Sequence, residues 1–189
     1  MKNKIVVIFI AREILKTNID GLVIRMNKVV AGATGALCEL APAGFSDEFF
    51  STGVKNIYAS IATAKGSARG GHYHMRQNEN FYVLSGTLLW IFVDFRENSK
   101  TNGEIFSVIT GFAFPKENKN IPAYTIDKNQ MAQLFIPAGV YHIWGQLSEE
   151  KAVVLAVSSE HYDKTDYAYP KIEELPKVKK ILDEFNMRF

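Results

Sequence analysis

Short runs rich in Val, Ile, Phe, Tyr and Thr recur along this chain of 189 residues, and Gly, Asn, Ser and Pro separate them. β-Branched and aromatic residues favour extended strands, whereas the separating residues favour turns. Many short strands with little helical periodicity are typical of an antiparallel sandwich or barrel, so an all-β fold is predicted. The runs that carry this prediction are GLVIRMNKVV, GALCEL, KNIYASIATA, ENFYVLSGTLLWIFVDF, EIFSVI, AQLFIPAG and KAVVLAVSS.

The main helical pattern lies near the C-terminus, in the stretch PKVKKILDEF. Pro176 suits the first turn of a helix, where its missing N–H is not needed. An apolar stripe at helical spacing follows it, formed by Val178, Ile181, Leu182 and Phe185. We therefore expect a short helix over roughly residues 176–186, packed on the barrel or on a partner chain.

Composition and charge are those of a globular protein and argue against a nucleic-acid-binding protein. The hydrophobic fraction of 47% and the charged fraction of 22% are ordinary for a globular protein. A single domain over residues 1–189 is expected, with the barrel at roughly residues 20–170. The net charge of +2 lacks the basic excess of a nucleic-acid-binding protein. The lone cysteine, Cys38, fits a reducing, cytoplasmic setting.

The apolar run at residues 5–11 lies between basic residues near the N-terminus. It is much shorter than the roughly 20 apolar residues that a transmembrane helix needs. A buried first strand is the better interpretation, and no association with a membrane is expected.

Two histidines and a glutamate lie in a spaced pattern, G-x5-H-x-H-x4-E-x6-G, which runs from Gly66 to Gly86. His72 and His74 are one residue apart, so on a strand their side chains point to the same face. Glu79 follows the turn-like residues MRQN and is expected to open the next strand. Across such a hairpin, its carboxylate would face the two imidazole rings.

A third histidine, His142, follows a tight entry formed by Pro137 and Gly139 in the segment IPAGVYHIWGQ. Three imidazoles and a carboxylate can bind a divalent transition metal such as Fe, Mn, Ni or Zn. The same imidazoles can instead transfer protons without a metal, because histidine titrates near neutral pH. The residues by themselves leave both alternatives open.

The two elements, G-x5-H-x-H-x4-E-x6-G and P-x-G-x2-H, resemble the two signature motifs of the cupin family. In the second motif, Met131 takes the place of the leading glycine and Gln146 that of the trailing asparagine. The resemblance implies a double-stranded β-helix, or jelly-roll, barrel. It also implies a homodimer, since cupins of this kind commonly pair.

The flanking segments GALCEL, FSDEFF, ARGGHYH, VDFRENSKT and LFIPAGVYHIW are similar in order and spacing to dTDP-4-dehydrorhamnose 3,5-epimerases, over roughly residues 34–170. That resemblance implies an isomerase acting on a dTDP-4-keto-6-deoxy sugar without a cofactor. Arg69 would bind the diphosphate, and His72 would be the catalytic base. Glu39 would lie near the nucleotide base, and His142 would contact the substrate opposite His72.

Two positions depart from the pattern of these epimerases. Thr34 stands where they have an arginine, and Glu79 stands where they have an active-site lysine.

The dTDP-4-keto-6-deoxyglucose ketoisomerases offer a second resemblance, through their His-x-His pair and a C-terminal run similar to EHYDKTDY. In those enzymes the paired histidines move the proton. This resemblance therefore implies that His72 and His74 transfer the proton here and that Tyr162 acts as a catalytic acid.

Two further classes of function stay open. A metal-dependent cupin, either a dioxygenase or a sugar-phosphate isomerase, would use His72, His74, Glu79 and His142 as ligands. A carbohydrate-binding cupin would need no catalysis at all, because one fold hosts many functions. In either case the polar segment at residues 112–130, which contains two prolines, suggests a long loop of the kind that covers binding sites.

Overall fold

The structure is a computed structural model that describes residues 13–40, 53–111 and 130–188. The expected first strand at residues 5–11 lies outside these ranges, as does the expected loop up to residue 129. In the described ranges the chain forms twelve strands. They are β1 (Glu13–Leu15), β2 (Val23–Ala31), β3 (Ala36–Cys38), β4 (Asn56–Ala62), β5 (Ala68–His74), β6 (Glu79–Ser85), β7 (Thr87–Asp94), β8 (Ile105–Gly111), β9 (Gln130–Ile136), β10 (Val140–Gln146), β11 (Ala152–Ser158) and β12 (Tyr167–Ala168).

The strands make two antiparallel sheets. The first has the order β1-β2-β9-β6-β11-β4, with β3 paired to β2, and the second has the order β12-β5-β10-β7-β8. Both sheets contribute to one buried core, in which Phe81 and Leu134 of the first sheet join Trp90, Phe92 and Trp144 of the second. The predicted all-β jelly-roll barrel is confirmed.

The alternation of side chains along each strand explains why these sequences form a barrel. In β6, Phe81 and Val83 point into the core, whereas Tyr82 lies between them and packs in a separate cluster with Phe135 and Val157. Successive side chains of a strand point to opposite faces, so this period-2 pattern fixes which residues face the interior.

The predicted C-terminal helix is present as α1 (Pro176–Glu184), and it ends two residues earlier than expected. Its buried residues Val178 and Leu182 pack with Leu89, Ile91 and Ile143 of the second sheet. Burial of such an aliphatic side chain stabilises the fold by roughly 1.5–3 kcal/mol. The helix therefore covers the outer face of the sheet that carries His72 and His74. No helix in the described ranges has the length and apolar character needed to cross a membrane.

A β-bulge in β5 sets the direction of its side chains. His72 pairs with His142 of β10, but Gly70 pairs with Ile143, so Gly71 is an extra residue in β5. Gly70 has φ +91°, and a Cβ atom there would lie 2.8 Å from the carbonyl oxygen of His142. Beyond the bulge, Arg69 pairs with Trp144. Directly opposed residues share a face, so Arg69 lies on the same face of the sheet as His72.

Candidate active site

Three histidines meet inside the barrel. His72 and His74 lie on β5, and His142 lies on the neighbouring strand β10. One ring nitrogen from each histidine lies within 4.8 Å of those of the other two. The predicted histidine constellation is thus brought together by the pairing of β5 with β10.

Glu79 reaches this cluster from the opposite sheet. Strands β5 and β6 belong to different sheets, so residues 75–78 cross the end of the barrel. The expected hairpin is therefore wrong: the short connection joins the two sheets and makes no ladder between its own flanking strands. The Oε2 atom of Glu79 lies 3.5 Å from His74 Nε2 and 3.2 Å from His142 Nε2.

The two carboxylate oxygens of Glu79 have different surroundings. Oε1 accepts hydrogen bonds from the hydroxyl of Tyr58 at 2.6 Å and from the side-chain amide of Gln77 at 2.9 Å. Oε2 is buried and makes no hydrogen bond. Burial by itself raises the pKa of Glu79, but the adjacent imidazoles of His74 and His142, followed by the hydrogen bond from Tyr58, lower it to about 2. Glu79 is therefore an ionised carboxylate at neutral pH.

His74 is held on both sides. Its Nδ1 atom lies 3.2 Å from Oδ2 of Asp166, and its Nε2 atom lies 3.2 Å from the side-chain amide of Gln77. Asp166 is 3% exposed and also accepts hydrogen bonds from the backbone N–H groups of Arg76 and Gln77. These contacts fix the orientation of the His74 ring.

His72 is the member of the cluster that a ligand can reach. It is only half-buried, whereas His74 and His142 are each 2% exposed. Burial, followed by the proximity of His142 and His74, lowers the pKa of His72 to about 3. Burial also lowers the pKa of His142. Both rings are therefore neutral at neutral pH and can accept a proton or bind a metal.

Two tyrosines line the cluster from β12 and the residue after it. The ring of Tyr167 lies 4.3 Å from that of His74 and 5.0 Å from that of His72, between centroids. The ring of Tyr169 lies 5.6 Å from that of His72 and stacks on Tyr167. Burial, with a smaller effect of Glu79, raises the pKa of Tyr167 to about 12. Tyr167 is thus a neutral hydrogen-bond donor beside the histidines.

Tyr162, the predicted catalytic acid, is 72% exposed, and its ring lies 5.7 Å from that of Tyr167. Its catalytic role stays a prediction.

Arg69 and Glu39, the residues expected to contact the nucleotide, are both exposed. Arg69 is exposed on β5, on the same face as His72, and its Nε atom donates a hydrogen bond to Ser60 of β4 at 3.0 Å. Glu39 is exposed just after β3, which pairs with β2. The expected contacts of both residues with a nucleotide stay predictions.

Sequence reasoning missed five residues that line the cluster: Tyr58, Gln77, Asp166, Tyr167 and Tyr169. Tyr58 lies in the strand run KNIYASIATA, and its alternation with exposed neighbours is the pattern of an inward-facing residue. Asp166 and Tyr167 lie in the run EHYDKTDY, but no local pattern shows that this run pairs with β5.

No protein family model matches this chain, and no curated protein matches it at significance. Its fold is similar to those of several solved structures. A dTDP-4-dehydrorhamnose 3,5-epimerase from Sulfolobus tokodaii matches with a TM-score of 0.65 at 21% identity, over 87% of this chain and 85% of that one.

Two related enzymes in complex with ligands also match. One is a dTDP-6-deoxy-D-glucose-3,5-epimerase from Legionella pneumophila with dTDP-4-keto-L-rhamnose, with a TM-score of 0.64 at 24% identity, over 84% of this chain and 77% of that one. The other is a 3'-monoepimerase from Streptomyces bikiniensis with dTDP-quinovose, with a TM-score of 0.62 at 18% identity, over 81% of this chain and 71% of that one. At these identities the similarity establishes the fold.

Proposed function

We propose that this protein is an isomerase that epimerises or ketoisomerises a dTDP-4-keto-6-deoxy sugar by histidine-mediated proton transfer. The observation that carries the proposal is the accessible, neutral His72 beside the buried pair of His74 and the carboxylate of Glu79. The fold supports it, because the solved structures that it resembles are epimerases acting on dTDP sugars. No cofactor is needed for this chemistry.

A C–H bond next to a ketone is acidic, because the electron pair left on carbon delocalises onto the carbonyl oxygen as an enolate. His72 accepts the proton from this carbon on its free ring nitrogen. Return of a proton to the same carbon from the other face gives the epimer. To move the ketone instead, the former carbonyl carbon and its oxygen each gain a proton, while the hydroxyl group of the deprotonated carbon loses its proton and becomes the new carbonyl. General acid–base catalysis of this kind contributes on the order of 10² to 10⁴ in rate.

The charge of Glu79 favours ketone transfer by the histidine pair. A carboxylate 3.2 Å from His142 stabilises an imidazolium but opposes a long-lived negative enolate. A proton must therefore reach the enolate oxygen as the charge develops. The neutral phenol of Tyr167, beside His72, is the donor for this step. His74, adjacent to His72, offers an acceptor nitrogen instead, because its N–H is directed to Asp166.

The substrate and assembly complete the proposal. Arg69, on the same face as His72, would bind the diphosphate through the planar fork of its guanidinium. Glu39 would lie near the nucleotide base, and Tyr162 would assist as an acid. A homodimer in the cytoplasm is part of the same proposal.

Incubation with dTDP-4-keto-6-deoxyglucose in deuterated water tests the proposal. We expect solvent deuterium at a carbon beside the ketone, detected by NMR, and loss of this exchange in a His72→Asn variant. The exposed His161 offers a matched control, because His161→Asn removes an imidazole outside the cluster. Absence of deuterium with the unaltered protein would contradict the proposal. Binding of the sugar nucleotide without exchange would indicate a carbohydrate-binding cupin instead.

A metal-dependent cupin is the second candidate, and the environment of Glu79 favours it. Its buried Oε2 atom lacks a hydrogen bond and lies beside two Nε2 atoms. The Nδ1 atoms of those histidines, on the opposite side of each ring, contact oxygen atoms: that of His74 contacts Asp166, and that of His142 contacts the carbonyl of Val140 at 3.3 Å. Metal-binding histidines are usually oriented in this way.

These residues fit a divalent transition metal, which His72, His74, His142 and Glu79 would hold. Such an ion, when bound, polarises a carbonyl oxygen as a Lewis acid. Elemental mass spectrometry on untagged protein and on a His142→Ala variant tests this candidate. About one ion per chain, lost in the variant, would support it. No uptake of Fe, Mn, Ni or Zn on reconstitution would remove it.

A further inference from the structure

Tyr169 is a large aromatic residue that lies in solvent beside the histidine cluster. Strand β12 pairs with β5 so that Tyr167 opposes His74 and Ala168 opposes Tyr73. Tyr169 follows directly, and the same register continued by one residue would set it opposite His72. The Tyr169 ring is 66% exposed, although it lies 5.6 Å from the ring of His72. An exposed aromatic face at the rim of a polar cluster offers contact area for a ligand.

Contacts on one face orient this ring before any ligand arrives. Tyr169 stacks on Tyr167 with 9° between the ring planes and 5.9 Å between centroids. Tyr167 in turn packs edge-on against His74 at 4.3 Å. Asp166, next to Tyr167, is bonded both to His74 and to the backbone of Arg76. A rigid aromatic surface loses little conformational entropy on binding.

We infer that Tyr169, stacked on Tyr167, is the platform on which the sugar ring of the substrate packs, an inference that rests on the proposed function. The carbon that His72 deprotonates must approach its ring nitrogen to about 3–3.5 Å. A ring 5.6 Å from His72 therefore contacts the same sugar, whereas the nucleotide base lies beyond two phosphates. The C–H groups of one hexose face, together with a 6-deoxy methyl group, are apolar and suit an aromatic surface.

Calorimetric titration with dTDP-rhamnose and with dTDP tests the inference on Tyr169→Ala and Tyr169→Phe variants. We expect Tyr169→Ala to weaken binding of the sugar nucleotide about tenfold and binding of dTDP less than about twofold. Tyr169→Phe keeps the ring and should bind both within about twofold. Ile14, which is also exposed and lies on β1, provides the control variant Ile14→Ala.

Equal loss of affinity for dTDP and dTDP-rhamnose in Tyr169→Ala would overturn the inference, because the residue would then act on the nucleotide. Unchanged affinity for both ligands would overturn it as well. If the unaltered protein binds neither ligand, the proposed function itself fails and the platform fails with it. If the unaltered protein binds both ligands but exchanges no deuterium, the reaction fails while the platform is still decided by the variants.

Discussion

His74 donates a hydrogen bond from Nδ1 to the carboxylate of Asp166 at 3.2 Å, although the two residues lie 92 positions apart in the chain. His74 is the donor because both oxygens of Asp166 already accept backbone N–H groups. This bond leaves the Nε2 atom of His74 as the acceptor that faces Gln77 and Glu79. Asp166 thus selects the tautomer of His74 from outside the cluster.

Replacement of Asp166 by asparagine should lower kcat by about 10- to 100-fold, because the amide no longer stabilises the Nδ1–H tautomer of His74. Steady-state kinetics on the dTDP-keto sugar measure the effect, and circular dichroism checks that the barrel is intact. Asp163 is the matched control, since it bonds Arg76 and Thr165 at the surface. Equal losses in Asp163→Asn and Asp166→Asn would contradict a tautomer-specific role.

Acid should destabilise the protein in two overlapping pH ranges. The folded state holds the pKa of His72 near 3, well below 6.5, so the unfolded chain binds the proton more readily between these values. Stability therefore falls as the pH drops from about 6.5 towards 3, with a slope of up to about 1.4 kcal/mol per pH unit. Glu79 adds a second loss as the pH falls from its ordinary pKa of 4.5 towards about 2.

A His72→Asn variant separates the two contributions. Denaturant unfolding between pH 7 and pH 4 should show a shallower decline in the free energy of unfolding than in the unaltered protein. The decline that remains belongs to His142, whose pKa burial also lowers, and below pH 4.5 also to Glu79 and to other carboxylates. An unchanged slope above pH 4.5 would show that burial does not perturb the titration of His72.

Replacement of Gly70 by alanine should disturb the site and the barrel together. The Cβ atom would lie 2.8 Å from the carbonyl oxygen of His142, and the positive φ adds strain of about 1–2 kcal/mol. Gly103 has φ +79° with open space around it, so Gly103→Ala carries the strain without the clash. Thermal unfolding should therefore show a larger loss for Gly70→Ala, by roughly 1–3 kcal/mol. Equal losses of stability in the two variants would mean that the backbone at the bulge moves to accommodate the Cβ atom without further destabilising the protein.

Removal of the Tyr58 hydroxyl should weaken the support of Glu79. Tyr58→Phe deletes a hydrogen bond of 2.6 Å to a buried carboxylate, which costs about 1–3 kcal/mol of stability. The pKa of Glu79 should rise in this variant, so its acid unfolding should begin at higher pH. Tyr73, whose ring stacks on Phe95, serves as a control. Tyr73→Phe should change the free energy of unfolding by less than about 0.5 kcal/mol.

The barrel and the histidine cluster could be predicted because their signals are local. Alternating apolar residues define strands such as β6, and the spacing of His72 and His74 places both rings on one face. His142 was predicted from a second local pattern, the Pro and Gly residues that precede β10. Each of these predictions needed only a few neighbouring residues.

The features of the site that could not be predicted from the sequence depend on pairings between distant segments of the chain. Asp166 reaches His74 because β12 adds to the edge of β5, and nothing within either segment encodes that choice. The bulge at Gly71 reverses the parity of Arg69 relative to His72, which a regular strand would not allow. Glu79 contacts His142 because the chain changes sheets after β5.

Strand β12 is two residues long, lies at the edge of its sheet and pairs with β5. Asp166, Tyr167 and Tyr169 all depend on this short attachment, whereas the histidines sit in seven-residue strands. Short edge segments open at a lower free-energy cost than the sheets that carry them. The placement of Tyr167 and Tyr169 beside the histidines and the stability of the barrel therefore rest on different sets of backbone bonds, so that opening of β12 would alter the proposed site while leaving the rest of both sheets intact.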